Sequence, residues 1–170
     1  MSRSKYKIVS WSPAFSVGIK VIDDQHRELI NLVNDLFSHI TGDLDAEQAY
    51  FSKIIGPAVK QLKLHFNTEE IIMTHTNFPG YLEHKKTHDA FIFGAVERIK
   101  NYKTNKKNSL YLFTSYLKDW VLEHIGIMDK QYSIYFKHIA TIPRSNCLPV
   151  AARHRPIRHQ ERGNASARLN

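Results

Sequence analysis

The sequence predicts an all-α fold: an antiparallel up-down four-helix bundle with a non-helical N-terminal arm and a disordered C-terminal tail. Apolar residues recur at the three- and four-residue spacing of a helix in four long stretches of the 170-residue chain. Glycine and proline cluster between most of these stretches, and no strand pattern of comparable length competes. Four amphipathic helices joined by short loops bury their apolar stripes most simply against one another.

The bounds of the first two predicted helices follow from capping residues and from the extent of the helical period. The first begins at Asp23 or Asp24, because either carboxylate is a good N-cap, and ends at about Ile40. The second spans about 45–76 and contains the pair Gly56–Pro57. Proline lacks the backbone N–H that a helix needs, so this pair should kink or interrupt the second helix.

The remaining elements follow in order along the chain. The third helix spans about 81–103 and the fourth about 109–139. We expect residues 1–22 to form an arm that packs on the bundle, because this segment is apolar but lacks helical period. Residues 140–170 are basic and lack periodicity, so they should form a disordered tail, and 23–139 then form the bundle domain.

The charge of the chain is concentrated in the predicted tail. The formal net charge is +8, of which six arginines and one glutamate in residues 140–170 contribute +5. The rest of the chain therefore does not have the charge of a nucleic-acid-binding domain, and no clear nucleic-acid or membrane partner is predicted. The basic tail leaves a weak possibility of an anionic partner of either kind.

Several classes of protein are excluded by composition. The single cysteine, Cys147, cannot form an internal disulfide or a cysteine-based zinc or iron–sulfur site. No apolar run is long enough for a transmembrane helix, and residues 1–10 do not read as a secretory signal. We therefore expect a cytoplasmic protein.

Polar residues interrupt the apolar face of every predicted helix. Residues four apart on a helix point in nearly the same direction, and two such pairs occur. Buried without partners, such groups would each cost about 1–3 kcal/mol. The interrupting residues are His26 on the first helix, His65 and Glu69 on the second, His84 and His88 on the third, and His124 on the fourth.

These side chains favour a metal site over ordinary hydrogen-bonded core histidines. Any one buried histidine alone is more often a core residue than a ligand, but four helices converging on histidine or glutamate is different. Imidazole and carboxylate groups suit iron, zinc or copper. Together with Asp129 the set is too large for one tetrahedral zinc, and it suits two adjacent ions bridged by carboxylates.

Asp129 is the weakest member of the set on spacing. It follows His124 by five residues, which on a regular helix is a direction about 140° away, and Met128 lies on the four-residue row instead. Asp129 can join the site only if the helix widens locally, as in a π-bulge, or if its carboxylate reaches in from the side. Gly126 between the two residues makes such a distortion easier.

Four stretches of sequence surround the candidate ligands with further motifs. They are Trp11 to Phe15 with Val17-Gly18-Ile19 and Ile22-Asp23-Asp24-Gln25-His26; His65-Phe66-Asn67-Thr68-Glu69-Glu70 with Met73; Phe78-Pro79 with His84-Lys85-Lys86-Thr87-His88; and Trp120-Val121-Leu122-Glu123-His124-Ile125 with Asp129. Over about 11–139 these motifs resemble those of hemerythrin-like domains, and within that family the single-domain bacteriohemerythrins.

This resemblance implies a non-haem di-iron centre (Fe2+/Fe3+) with an oxo or hydroxo bridge that binds O2 reversibly for storage, delivery or buffering. Carried over by position, one iron would be completed by three histidines and the other, bound by two, would keep an open position. The resemblance places His84, His88 and His124 on the first iron and His26 and His65 on the second, with Glu69 and Asp129 bridging.

The resemblance implies a carrier and not an enzyme, with O2 as the ligand and the protein recipient unknown. One alternative is an oxygen, redox or nitric-oxide sensor that acts through a partner. A di-iron peroxidase or iron-centre repair enzyme is a less favoured alternative, because no acid–base set beyond the ligands is evident.

Apolar residues beside the predicted ligands are candidates for the walls of an O2 pocket, although plain core packing explains them equally well. These candidates are Trp120, Val121, Ile125 and Ile30. Relatives usually carry leucine where this chain has Val121, so the pocket should be looser here. Three other histidines, His39, His75 and His138, match no ligand position and should lie at the surface or just outside the ligands.

Overall fold

The computed structural model describes residues 7–104 and 109–141, and these are almost entirely helical. The helices are α1 (Lys20–Ser38), α2 (Leu44–His75), α3 (Tyr81–Thr104), α4 (Ser109–Glu123) and α5 (Asp129–Thr141), with a π-helical turn at His124–Met128 between α4 and α5. Helix α1 packs against α2, α2 against α3 and α3 against α4, and α4 also packs against α1. The predicted all-α four-helix bundle is confirmed.

The fourth rod of the bundle consists of α4, the π turn and α5 in continuous succession. The apolar stripes predicted from periodicity face the interior: Leu29, Leu62 and Leu117, for example, are all buried in one core. A smaller apolar cluster lies apart from this core and contains Val17, Met73 and Tyr132. The bundle is therefore packed on both sides of its polar interior.

The start of α1 differs from the prediction. The helix begins at Lys20 and not at Asp23 or Asp24. Asp23 lies inside its first turn and binds the arm: its carboxylate accepts hydrogen bonds from the Ser16 hydroxyl at 2.6 Å and the Val17 N–H at 2.7 Å. A tertiary contact therefore uses the carboxylate that sequence reasoning assigned to the helix cap.

Of the two outcomes predicted for Gly56–Pro57, a kink or an interruption of the second helix, the interruption is wrong. The helix α2 runs without a break from Leu44 to His75 with Pro57 inside it. Pro57 leaves the carbonyl of Lys53 without its usual helical donor. Both residues lie on the exposed side of α2, where water can take the place of that donor.

Residues 20–22 of the predicted arm belong to α1, and the described part before them, 7–19, contains one short 3-10 turn at Pro13–Phe15 and is otherwise non-helical. The Asn34 side chain holds its first part, accepting from the backbone N–H groups of Ile8 and Val9 and donating to the carbonyl of Val9. The Ser133 hydroxyl donates to the carbonyl of Val17 at 2.7 Å. These contacts tie the arm to both α1 and α5.

The predicted tail extends beyond the described residues from position 142, while Ala140 and Thr141 still belong to α5. Within the described ranges, no helix is long and apolar enough to cross a lipid bilayer.

Candidate metal centre

All seven residues predicted as metal ligands meet in the interior of the bundle. They come from α1, α2, α3 and the fourth rod, and none is more than 2% exposed. They are His26, His65, Glu69, His84, His88, His124 and Asp129. Helical periodicity carries six of them to the inner faces of their helices, at a depth where the four faces meet, and the π turn brings in the seventh, Asp129.

The seven side chains form two groups that share Glu69. In each group the candidate ligand atoms all lie within 4.8 Å of one another, which is close enough to hold a metal ion. One group contains Glu69 with His84, His88 and His124, and the other contains Glu69 with His26, His65 and Asp129. The arrangement therefore offers two adjacent metal positions and not one.

The Glu69 carboxylate lies between the two groups. Its Oε2 is 3.1 Å from Nε2 of His88 and 3.6 Å from Nε2 of His65. Its Oε1 lies 3.9 Å from Nε2 of His26 and accepts a hydrogen bond from the Tyr132 hydroxyl at 2.6 Å. Glu69 thus reaches histidines from both groups with one carboxylate.

Asp129 also faces both groups, one oxygen to each. Its Oδ1 is 3.1 Å from Nε2 of His124 and 3.4 Å from Nε2 of His84, whereas its Oδ2 is 3.0 Å from Nε2 of His26. The helix widens at His124–Met128 as the sequence argument required. Met128, on the four-residue row, is only half-buried, while Asp129 is fully buried.

Several buried polar atoms of this cluster have no hydrogen-bond partner in the described part of the chain. They include Nε2 of His26, Nε2 of His65 and both carboxylate oxygens of Asp129. Buried nitrogen and oxygen atoms left in this way are costly unless something satisfies them. A metal ion accepts a lone pair from each at once, and this donor set fits iron, zinc or copper.

The two carboxylates dominate the electrostatics of the metal-free site. Burial disfavours the charged imidazolium of His26, but Asp129 and Glu69 outweigh it and raise its pKa to about 9. The same balance raises the pKa of His124 to about 9. Burial instead prevails at His65 and lowers its pKa to about 4. The surrounding histidines overcome burial and hold the pKa of Glu69 well below its usual value.

Aromatic rings cover one side of the cluster. Trp120 stacks on the His124 ring with centroids 4.2 Å apart, and Phe66 stacks on His88 at 4.1 Å. The other three candidates for the O2 pocket, Val121, Ile125 and Ile30, are buried in the main core. Their role as pocket walls stays a prediction.

Sequence reasoning missed the residues that contact the seven from outside. Phe66, Gln25, Glu70 and Tyr132 each touch at least one of them. Three of these adjoin a predicted ligand in sequence, and that proximity was the available signal: Gln25 before His26, Phe66 after His65 and Glu70 after Glu69.

The three histidines without a ligand position lie outside both groups. His39 stacks on Tyr50 with centroids 3.5 Å apart, and its Nδ1 donates to the carbonyl of Asp35. His75 is exposed and donates to the carbonyl of Ile71 in its own helix, and His138 is exposed on α5.

Comparison with known proteins finds one family that this chain resembles. The family model of the hemerythrin HHE cation binding domain matches residues 17–133. Bacteriohemerythrin of Stenotrophomonas maltophilia is 29% identical over 126 residues, which are 74% of this chain and 80% of that protein. Hemerythrin subunit 2 of Golfingia vulgaris is 28% identical over 122 residues, 72% of this chain and 88% of that protein.

A crystal structure of a hemerythrin point mutant has the same fold, with a TM-score of 0.66 and 24% sequence identity over 76% of this chain and 97% of that one. The family model covers well over half of the chain and includes all seven clustered residues. The resemblance read from the motifs is thereby confirmed, and this chain belongs to the hemerythrin HHE cation binding domain family.

Proposed function

We propose that this chain holds two iron ions in the bundle interior and binds O2 reversibly there, as a protein of oxygen storage, delivery or buffering. The observation that carries the proposal is the pair of overlapping four-residue groups that share Glu69. Membership of the hemerythrin family supports iron over zinc or copper, and the relatives named hemerythrin and bacteriohemerythrin support an oxygen carrier over an enzyme.

The division of ligands between the two positions supports a binding site on one of them. One position has three histidine nitrogens, from His84, His88 and His124, and the other has two, from His26 and His65. Glu69 and Asp129 face both positions and would bridge them. The position with two histidines has one protein ligand fewer and is the one at which we place O2.

The chemistry that iron supplies is the reversible exchange of electrons with O2. The protein contributes a buried and largely apolar setting, because water and protons favour irreversible oxidation of such centres. Phe66 and Trp120 lie against the histidines of the three-histidine position. The Tyr132 hydroxyl donates a hydrogen bond to Oε1 of Glu69, which orients that carboxylate.

Metal analysis combined with absorption spectroscopy tests the proposal. The full chain is loaded anaerobically with ferrous iron, exposed to air, and then deoxygenated under argon. We expect two iron ions per chain and an absorption change in air that reverses under argon. A change that persists under argon would contradict reversible carriage and would favour a sensor or an enzyme.

Two alanine variants compare a histidine of the proposed site with a histidine outside it. His84→Ala removes a buried histidine of the three-histidine group, so bound iron and the reversible spectral change should both fall. His75→Ala removes an exposed histidine at the end of α2 and should change neither. Full retention of iron and O2 binding by His84→Ala would refute the ligand assignment.

A further inference from the structure

The five clustered histidines differ in what their outward-facing nitrogens contact. Nδ1 of His88 lies 3.1 Å from a carboxylate oxygen of Glu70. Nδ1 of His65 lies 3.4 Å from the amide oxygen of Gln25, a neutral group. For His26, His84 and His124, Nδ1 has no hydrogen-bond partner in the ranges that the structure describes. Within those ranges, His88 is thus the member of the set with an anionic partner.

Glu70 connects this buried histidine to the surface of the bundle. The His88 side chain is fully buried, whereas that of Glu70 is 22% exposed. The Lys85 ammonium lies 3.5 Å from the other oxygen of Glu70 and 3.1 Å from Asp89. A line of polar contacts therefore runs from Lys85 through Glu70 to His88 and then to the interior.

The contact determines which nitrogen of His88 faces the centre. A carboxylate only accepts, so the hydrogen of the ring belongs on Nδ1, and Nε2 is left with a free lone pair. That Nε2 points inward, 3.1 Å from Oε2 of Glu69 and 3.0 Å from Nε2 of His124. The anion also makes the ring a stronger donor, because a negative partner at one nitrogen raises electron density at the other.

We propose that Glu70 is a positioning residue for His88. Acting through His88, the Glu70 carboxylate lowers the reduction potential of the iron at the three-histidine position and slows the release of that iron. Lys85 weakens this effect of Glu70. The inference rests on the proposed function, since it assumes an iron at that position. A stronger donor stabilises the more highly charged ferric ion over the ferrous ion. Because His65 contacts a neutral amide instead, the two iron positions are tuned unequally.

Removing the charge of Lys85 should shift the reduction potential in the opposite direction to removing the charge of Glu70. Its positive charge near Glu70 draws electron density away from the carboxylate and weakens the effect of that carboxylate on His88. Removing the ammonium should therefore lower the potential further. The shift should be smaller than that from removing the Glu70 charge, because Lys85 is 39% exposed and screened by water.

Three variants and a control isolate the contact. Glu70→Gln keeps the shape and an acceptor oxygen but removes the charge, so the midpoint potential should rise with little change in the affinity for ferrous iron. Glu70→Ala removes both, and iron release to a ferrous chelator should accelerate by about 10- to 100-fold. Lys85→Met should lower the potential. Glu83→Gln removes an exposed carboxylate paired with Lys86 on the same helix and should leave both measurements unchanged.

The outcomes distinguish this inference from the proposed function. If wild type and variants bind two irons and O2 reversibly, but the Glu70 variants match wild type in potential and release rate, the inference fails and the proposed function stands. Equal shifts in Glu70→Gln and Glu83→Gln would also overturn it, because surface charge alone would then explain the potential. If wild type binds no iron pair, both fail together.

Discussion

The carboxylate of Asp129 lies 3.1 Å from Nε2 of His124, although the two residues are five apart in the chain. On a regular α-helix the two side chains would point about 140° apart. The π-helical turn at His124–Met128 accommodates one extra residue and returns Asp129 to the inner face. The second bridging carboxylate of the proposed centre therefore depends on a local widening of the fourth rod.

The widened turn does not require its glycine. The backbone of Gly126 is outside the left-handed region, and a Cβ atom there would meet nothing within 4 Å. We expect Gly126→Ala to keep iron binding and to raise the free energy of unfolding by about 0.5–1 kcal/mol, because alanine loses less conformational entropy on folding. Urea unfolding and metal analysis measure the two quantities.

Gly94 offers a matched control for that substitution. A Cβ atom at Gly94 would clash with the hydroxyl oxygen of Tyr116, whose ring packs on Phe91. Gly94→Ala should destabilise the protein by about 1–3 kcal/mol through overpacking. Loss of iron from Gly126→Ala would show that the π turn does need glycine.

Asp129 and its neighbour Met128 make a second comparison. Asp129 faces histidines of both groups, so Asp129→Ala should reduce bound iron by at least one ion per chain. Met128 lies on the row that a regular helix would turn inward, yet it is half-buried and outside both groups. Met128→Ala should therefore retain both ions in metal analysis. If Met128→Ala lost iron and Asp129→Ala retained both ions, the turn at His124–Met128 would be α-helical in solution.

The inward stripes were predictable because helical period depends on one chain segment at a time. His65 and Glu69 share a face in any α-helix, and they share one here. The start of α1 was not predictable in this way, because Asp23 binds the arm and not the helix end. Pro57 was misread for a similar reason, since its effect depends on whether the freed carbonyl faces water.

The residues that support the cluster from outside depend on contacts between helices. Glu70 reaches His88 across α2 and α3, and Tyr132 reaches Glu69 across α5 and α2. Such pairs follow from the relative shift and rotation of two packed helices, which the period of either sequence alone does not determine. Periodicity therefore located six of the seven clustered residues, but neither Asp129 nor these contacts.

The metal-free protein should be most stable near pH 6.5. The folded-state pKa values of His26 and His124 are raised to about 9, so the stability they contribute is complete below about 6.5 and is lost as the pH rises to about 9. His65 has a lowered pKa of about 4, so folding excludes a proton there and stability falls as the pH drops below about 6.5. Thermal unfolding across pH 5–9 measures both slopes.

Metal binding should remove the loss of folding stability that the metal-free protein shows as the pH rises from about 6.5 to about 9. Ligand nitrogens must give up their protons to bind a metal, so loading at neutral pH should release protons from His26 and His124. Apparent iron affinity should then rise with pH up to about 9. An alkaline slope of equal size in the iron-loaded protein would contradict this account.

Tyr132 should matter more to stability than its neighbour Tyr135. The Tyr132 hydroxyl is the hydrogen-bond donor to a fully buried oxygen of Glu69. Tyr132→Phe leaves that oxygen unpaired and should cost the metal-free protein about 1–3 kcal/mol. Tyr135→Phe removes contacts to the carbonyls of Thr76 and Asn77 at the bundle surface and should cost less. Urea unfolding of both variants measures the difference, and equal losses would contradict it.

Val121→Leu tests whether the interior beside the cluster limits oxidation. Val121 is buried three residues before His124, at a position where the family resemblance led us to expect leucine. The added methylene should fill space that water could otherwise enter, so the O2-dependent spectrum should persist several-fold longer in air. Val33→Leu adds the same group to another buried valine, on α1, and should change stability without changing that lifetime. Equal lifetimes for Val121→Leu and wild type would place Val121 in the core alone and remove it from the O2 pocket.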